Sequence, residues 1–144
     1  IMKKLLFVPF LIFFSVSVFA QGASSVTGRW YTENEESVVK IYEKNGKYYG
    51  KLVWLEEPRD ENGDIKRDDN NPNKSKRNQK LAGLEILKDF EYTGNGKWEN
   101  GTIYDPDNGK TYKAKIELDG NDKLDLRGYI GVPAFGRTTV WKRY

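Results

Sequence analysis

Any chemistry this chain performs must do without imidazole or thiol. The sequence contains no His and no Cys, which removes Ser-His-Asp and Cys-His nucleophilic machinery and zinc sites built on those ligands. Three groupings of the remaining reactive side chains have suggestive spacing. Asp105 and Asp107 form a carboxylate pair of the kind glycosidases use. They flank Pro106 in Asp105-Pro106-Asp107-Asn108-Gly109, however, where Asx residues serve to close a hairpin turn. Ser75-Lys76 is a formal Ser-Lys dyad, set in a solvated run of charge. Asp60, Asn62 and Asp64 mimic the opening of a calcium loop, but the glycine falls at Gly63 and the twelfth position is Asn71 rather than Glu. An EF-hand therefore does not follow. The expectation is a protein that is not an enzyme, with no metal, no cofactor and no catalytic residue.

Binding is better supplied. The chain has four Trp, nine Tyr and seven Phe, with five of the Phe in the first 20 residues. Tyr and Trp carry an apolar body and a polar tip, which suits both strands and pocket walls. Tyr48, Leu52, Trp54, Tyr112 and Trp141 are the expected wall residues. Arg127 or Arg77 is expected to fix a polar head.

These residues need strands to hold them. In Ile103–Gly131, Tyr112, Ala114, Ile116 and Leu118 share one face, and Thr111, Lys113, Lys115 and Glu117 the other. Leu124, Leu126, Gly128 and Ile130 repeat the alternation against Asp125, Arg127 and Tyr129. Only an extended strand sorts residues at a period of two. Asp105–Gly109 and Asp119-Gly120-Asn121-Asp122 supply the turns. Further strands are expected at Val26–Thr32, Val38–Glu43, Tyr48–Leu55, Leu81–Tyr92, Trp98–Asp105 and Thr138–Tyr144, with Asn45-Gly46 as a hairpin signal. On the third, Tyr48, Gly50, Leu52 and Trp54 are grouped on one face.

Residues 56–80 interrupt the pattern. This long polar loop carries seven acidic and seven basic residues, with Ile65 as its one sizeable apolar side chain. About eight short strands and no convincing helix predict an all-β fold, an antiparallel meander closing into a small barrel, with a two-sheet sandwich as the runner-up, disfavoured because its crossings need long connections and one is available. Closure removes the sheet edges that would otherwise invite aggregation.

Lys3 and Lys4 precede an apolar run, Leu5 to Phe19, followed by Ala20 with Val18 two positions before it. That run falls short of the roughly 20 residues a bilayer span needs. Residues 2–20 are expected to be a signal peptide cleaved at Ala20–Gln21. Residues 21–144 would remain as one domain, not membrane-spanning, in a periplasm or outside the cell. Cleavage lowers Lys+Arg from 24 to 22 against 21 Asp+Glu, so net charge falls from +3 to +1. A near-balanced chain gives no reason to expect nucleic acid as a partner.

Gly28-x-Trp30 on the first strand and Arg143 on the last resemble the hallmark of the calycins, the lipocalin and fatty-acid-binding-protein group. The resemblance implies that Trp30 plugs one barrel end and Arg143 lies across it, a structural pair. A guanidinium can stack on an indole and donate to backbone carbonyls. A second resemblance spans nearly all of residues 21–144. GRW, NGKYYGKLVWL, NNPN with Arg77, LAGLEIL, GTIYDPDNGKTY, LDLRGYIG and GRTTVWKR are similar to the exported bacterial proteins termed domain of unknown function 2147, regarded as lipocalin-like. This implies export and a barrel but no chemistry. Many relatives carry Cys where this chain has Tyr129, so any disulfide they use is absent here.

The expected function is non-catalytic binding of a small apolar or amphipathic molecule in the barrel mouth. The alternative is an envelope protein that holds a protein or glycan through its outer face or charged loop.

Overall fold

The computed structural model describes residues 22–144; the expected signal peptide at 2–20 lies outside them. Eight strands run in chain order: β1 Gly28–Tyr31, β2 Ser37–Lys44, β3 Lys47–Leu55, β4 Glu85–Gly94, β5 Lys97–Asp105, β6 Lys110–Asp119, β7 Lys123–Tyr129 and β8 Gly136–Arg143. Each pairs with its sequence neighbour, and β8 returns to β1 to close the barrel. Every ladder is antiparallel. Short 3-10 turns lie at Ala23–Val26, Lys74–Lys76 and Pro133–Phe135.

The period-two pattern is what makes this closure stable. On β6, Ala114, Ile116 and Leu118 are buried while Lys113, Glu117 and Asp119 stay in water. On β7, Leu124 and Leu126 point inward likewise. A one-residue slip would turn each such set outward, so the register is strongly held.

The strands leave the barrel with two unlike ends. One end is formed by the tight β2–β3, β4–β5 and β6–β7 turns and by the Ala23–Val26 turn. It is closed. Trp30 and Trp98 are fully buried there, and their indole nitrogens donate to the carbonyls of Val26 at 2.8 Å and Ala23 at 3.2 Å. Tyr48 and Tyr92 pack on Trp98, with ring centroids 6.1 and 5.0 Å away.

Trp30 is the residue opposite Arg143 in the β1–β8 ladder. The guanidinium carbon sits 3.8 Å from the Trp30 ring centroid. Its nitrogens donate to the carbonyls of Thr27, Ser25 and Asn121 at 2.9–3.0 Å. Burial pushes the Arg143 pKa down, against a smaller upward pull from Asp122. Cation stacking plus satisfied carbonyls fastens the last strand to the first.

The other end is surrounded by the β1–β2, β3–β4, β5–β6 and β7–β8 connections. The β3–β4 connection contains the polar run 56–80, and it is folded. Arg59 bridges to Ile65 and Arg67 to Lys80 as isolated β-pairs. Its anchor is Asp68, which is completely buried. The Asp68 amide donates to Gln79 O at 2.9 Å, and its carboxylate accepts from Tyr104 Oη at 2.6 Å and Asn71 Nδ2 at 2.7 Å.

Asn70 Nδ2 reaches across to the carbonyls of Pro106 and Asp107 in the β5–β6 turn. Gly109, at φ 70°, makes this docking feasible: a Cβ there would collide with the Asn70 carbonyl. The NNPN segment is thus the stitch between the long loop and a neighbouring hairpin.

Candidate functional site

The open half of the barrel holds a cavity of about 970 Å³, at the upper end of the roughly 300–1,000 Å³ typical of ligand sites. Its walls come from inward positions on five strands: Leu52 of β3, Ile86 of β4, Ile103 of β5, Leu126 and Gly128 of β7, and Trp141 of β8. Tyr112 and Tyr104 add aromatic surface.

The space exists because of a difference between glycines. At Gly101 and Gly50 the missing Cβ is replaced by a neighbour: one built at Gly101 would collide with the Phe90 ring, and one at Gly50 would come 2.8 Å from Leu87 Cδ1. At Gly128 nothing large fills the gap. A Cβ there would meet Ile103 and Tyr112 only at 3.5 and 3.8 Å, ordinary van der Waals contact. Phe90 and Leu87 fill their glycines; Gly128 leaves room.

Around the mouth the chemistry changes. Six carboxylates line it, Glu33, Glu36, Glu56, Glu57, Asp105 and Asp107, against two cations, Lys66 and Arg137. Arg137 pairs with Glu33 at 2.7 Å and Lys66 with Glu57 at 3.8 Å. The β7–β8 connection supplies an apolar lip, with Ile130 68% and Phe135 77% exposed. The Tyr104 phenol, in the wall, has its pKa pushed up to about 12, by burial first, then by its hydrogen bond to Asp68 and the charges of Asp68 and Asp105.

The residues expected to form the wall divide. Leu52, Tyr112 and Trp141 line the cavity. Tyr48 points inward but sits at the closed end, in the packing around Trp98. Trp54 is on the outside, 45% exposed, and the cause is a β-bulge. Val39 pairs with Leu52 but Val38 pairs with Trp54, so Val53 is the extra residue and the alternation breaks after Leu52. Trp54 instead meets Tyr31 edge-on at 6.4 Å.

Neither arginine expected to hold a polar head reaches the cavity lining. Arg127 braces the β7–β8 connection from outside, donating to Pro133 O at 2.7 Å and Thr138 Oγ1 at 2.9 Å. Arg77 is spent inside the long loop, with Nε on Asn71 O at 2.8 Å.

The other reactive groupings serve turns. Asp105 Oδ1 accepts the Asp107 amide, and Asp60 Oδ1 accepts the amides of Asn62 and Asp64. Among the described residues no group of three acidic or imidazole side chains is placed to hold a metal ion.

Sequence reasoning missed Ile86, Ile103 and Tyr104 in the wall and the gathering of Glu33, Glu36, Glu56 and Glu57 with Asp105 and Asp107 into one acidic rim. Ile103 was within reach, since it opens the alternating run that carries Tyr112. The rim was not, because it gathers residues from three connections.

Comparison with known proteins fits this architecture. A family model described as "Uncharacterized protein conserved in bacteria (DUF2147)" matches residues 28–143. No curated protein matches the chain. A solved structure of protein HP1028 from Helicobacter pylori, described as belonging to the lipocalin family, is similar at 28% identity and a TM-score of 0.71, covering 82% of each chain. The closed eight-stranded barrel is lipocalin-like, and the chain belongs to the DUF2147 family of bacterial proteins.

Proposed function

We propose that this protein is exported and holds one small apolar or amphipathic molecule in the open half of its barrel, without catalysis. The observation that carries this is the cavity: about 970 Å³, apolar at depth, polar at the mouth, open at one end. Such a site offers burial for an apolar body and a wet exit for a polar end. Lipocalin-like architecture supports the reading, as a barrel of eight strands has room for one ligand. The reading is of a binder because the chain has no His or Cys and, of the two carboxylates flanking Pro106, Asp105 already caps the turn through Oδ1.

Trp141 in the wall provides the readout. A panel of fatty acids, haem precursors and sugars should produce saturable change in tryptophan fluorescence, and a rise in melting temperature, with an apolar class. Gly128→Leu projects a side chain into the void and should abolish that signal while the barrel stays folded. No saturable response from any class, or one unchanged by Gly128→Leu, would overturn the proposal.

One observation favours a second reading, an envelope protein gripping a macromolecule by its outer face. Tyr31, Trp54 and Tyr144 gather outside the barrel, the last two 45% and 61% exposed, and Arg29 lies over the Tyr144 ring. Cross-linking in the native envelope should then give a macromolecular adduct that Trp54→Ser loses and Gly128→Leu keeps.

A further inference from the structure

The charge around the cavity selects among amphipathic ligands. Of the six carboxylates in the lining, Glu33 and Glu57 are paired with Arg137 and Lys66. Glu36, Glu56, Asp105 and Asp107 have no cation within ion-pair distance among the described residues. They stand on two sides of the mouth. Glu36 and Glu56 are adjacent, with the Glu56 amide on Glu36 O at 2.8 Å, while Asp105 and Asp107 belong to the β5–β6 turn.

A second feature lies behind the wall. Asp68 is 0% exposed, yet among the described residues its carboxylate is held only by neutral donors, Tyr104 Oη and Asn71 Nδ2. A buried carboxylate without a counter-charge is costly, and here Tyr104, which lines the cavity, is its link to that space. Burial accounts for most of the rise in the Tyr104 pKa, with the Asp68 hydrogen bond and the charges of Asp68 and Asp105 adding to it. The aromatic surface of Tyr104, Tyr112 and Trp141 also favours cations over anions, since ring faces are negative.

We infer that the ligand is a cationic amphiphile: an apolar chain or ring set against Leu52, Ile86, Leu126 and Trp141, with an ammonium or guanidinium head at the mouth between Glu36 and Glu56 on one side and Asp105 and Asp107 on the other. The inference rests on the cavity being a ligand site, as proposed above, and adds the sign of the head group. An anionic head of the same size would meet unpaired carboxylates on both sides, and among the described residues the two cations of the lining, Lys66 and Arg137, are already paired.

Calorimetric titration of the purified protein with decyltrimethylammonium, decanoate and decanol, all below self-association, separates chain from head. At low salt the ammonium should bind about tenfold tighter than the carboxylate, equivalent to roughly 1.4 kcal/mol, with the alcohol between them. The triple variant Glu36→Gln/Glu56→Gln/Asp107→Asn changes exposed side chains only and should shrink that gap to about twofold, as should added salt.

Equal binding of the three probes, or preference for decanoate, would overturn the cationic assignment while leaving the pocket in place. A preference for the ammonium that survives in the triple variant would overturn the placement of the head. Failure of all three to bind would remove the pocket reading itself. Binding of all three that persists unchanged in Gly128→Leu would place them outside the barrel and remove it too.

Discussion

The two ends of this barrel solve the same geometric problem in opposite ways. At the closed end, rings and glycines interlock: Trp30, Trp98, Phe90 and Tyr48 occupy the interior, and Gly50 and Gly101 give up their side-chain volume to the neighbours that press on them. At the open end the inward residues are mostly aliphatic, and Gly128 has no ring opposite it. One end is filled by buried rings in contact with one another; the other keeps about 970 Å³ unfilled. Stability is therefore expected to reside in one half and binding in the other, and substitutions should separate the two.

The largest effect belongs to the plug. Trp30→Ala removes a fully buried ring, its 2.8 Å bond to Val26 O and the surface on which Arg143 stacks. Chemical denaturation should show a loss of about 3–5 kcal/mol. A much smaller loss would mean that the closed end is not where the fold is held. Gly101→Ala comes next, at about 1–3 kcal/mol, as the added methyl must displace the Phe90 ring.

The stitching of the long loop should matter less to global stability than to local order. Tyr104→Phe takes one donor from the buried Asp68 carboxylate, at a cost of about 1–2 kcal/mol. Limited proteolysis within residues 59–78 should become faster. The same phenol gives an alkaline signature. Its pKa rises from 10.0 unfolded to about 12 folded, so the protonated form is preferred in the native state. That contribution is complete below pH 10 and is lost as pH climbs through 12. Tyr42, whose burial and bond to Glu85 also bring it to about 12, loses stability over the same window. In Tyr104→Phe the alkaline decline, followed by ultraviolet absorbance and circular dichroism, should be shallower but not absent.

What the sequence disclosed tracks how local each physical cause is. Alternation and turn chemistry are nearest-neighbour effects, so the strands, their order and barrel closure were legible, including β1 beside β8. Facing was legible where the period ran unbroken: Leu126 and Gly128 inward implies Arg127 outward, and assigning Arg127 to a polar head set charge above that rule. Trp54 was not legible, because the bulge in β3 falls at Val53, between Leu52 and Trp54, with no Gly or Pro at that point to announce it. Tyr48 was assigned the correct face at the wrong height, since alternation says nothing about depth along the barrel axis. The buried Asp68 and the acidic rim depend on contacts between distant connections, which no local pattern encodes.

The smallest expected effect is also the most discriminating, since it repeats one substitution in the other half. Gly128→Ala places the same methyl group that Gly101→Ala does, again on an inward strand position. Here its contacts would be at 3.5 and 3.8 Å, and Gly128 is not among the glycines with positive φ. Nothing has to move. Replacing glycine by alanine at a compatible position also reduces the freedom of the unfolded chain, which favours folding by about 0.4–1 kcal/mol. Gly128→Ala should therefore be neutral or stabilising by up to ~1 kcal/mol in the denaturation experiment that shows Gly101→Ala to be costly. A comparable loss at both positions would mean that the open half is as tightly filled as the closed one. The cavity would then be too poorly defined to hold a ligand, and the division of labour between the two ends would fail with it.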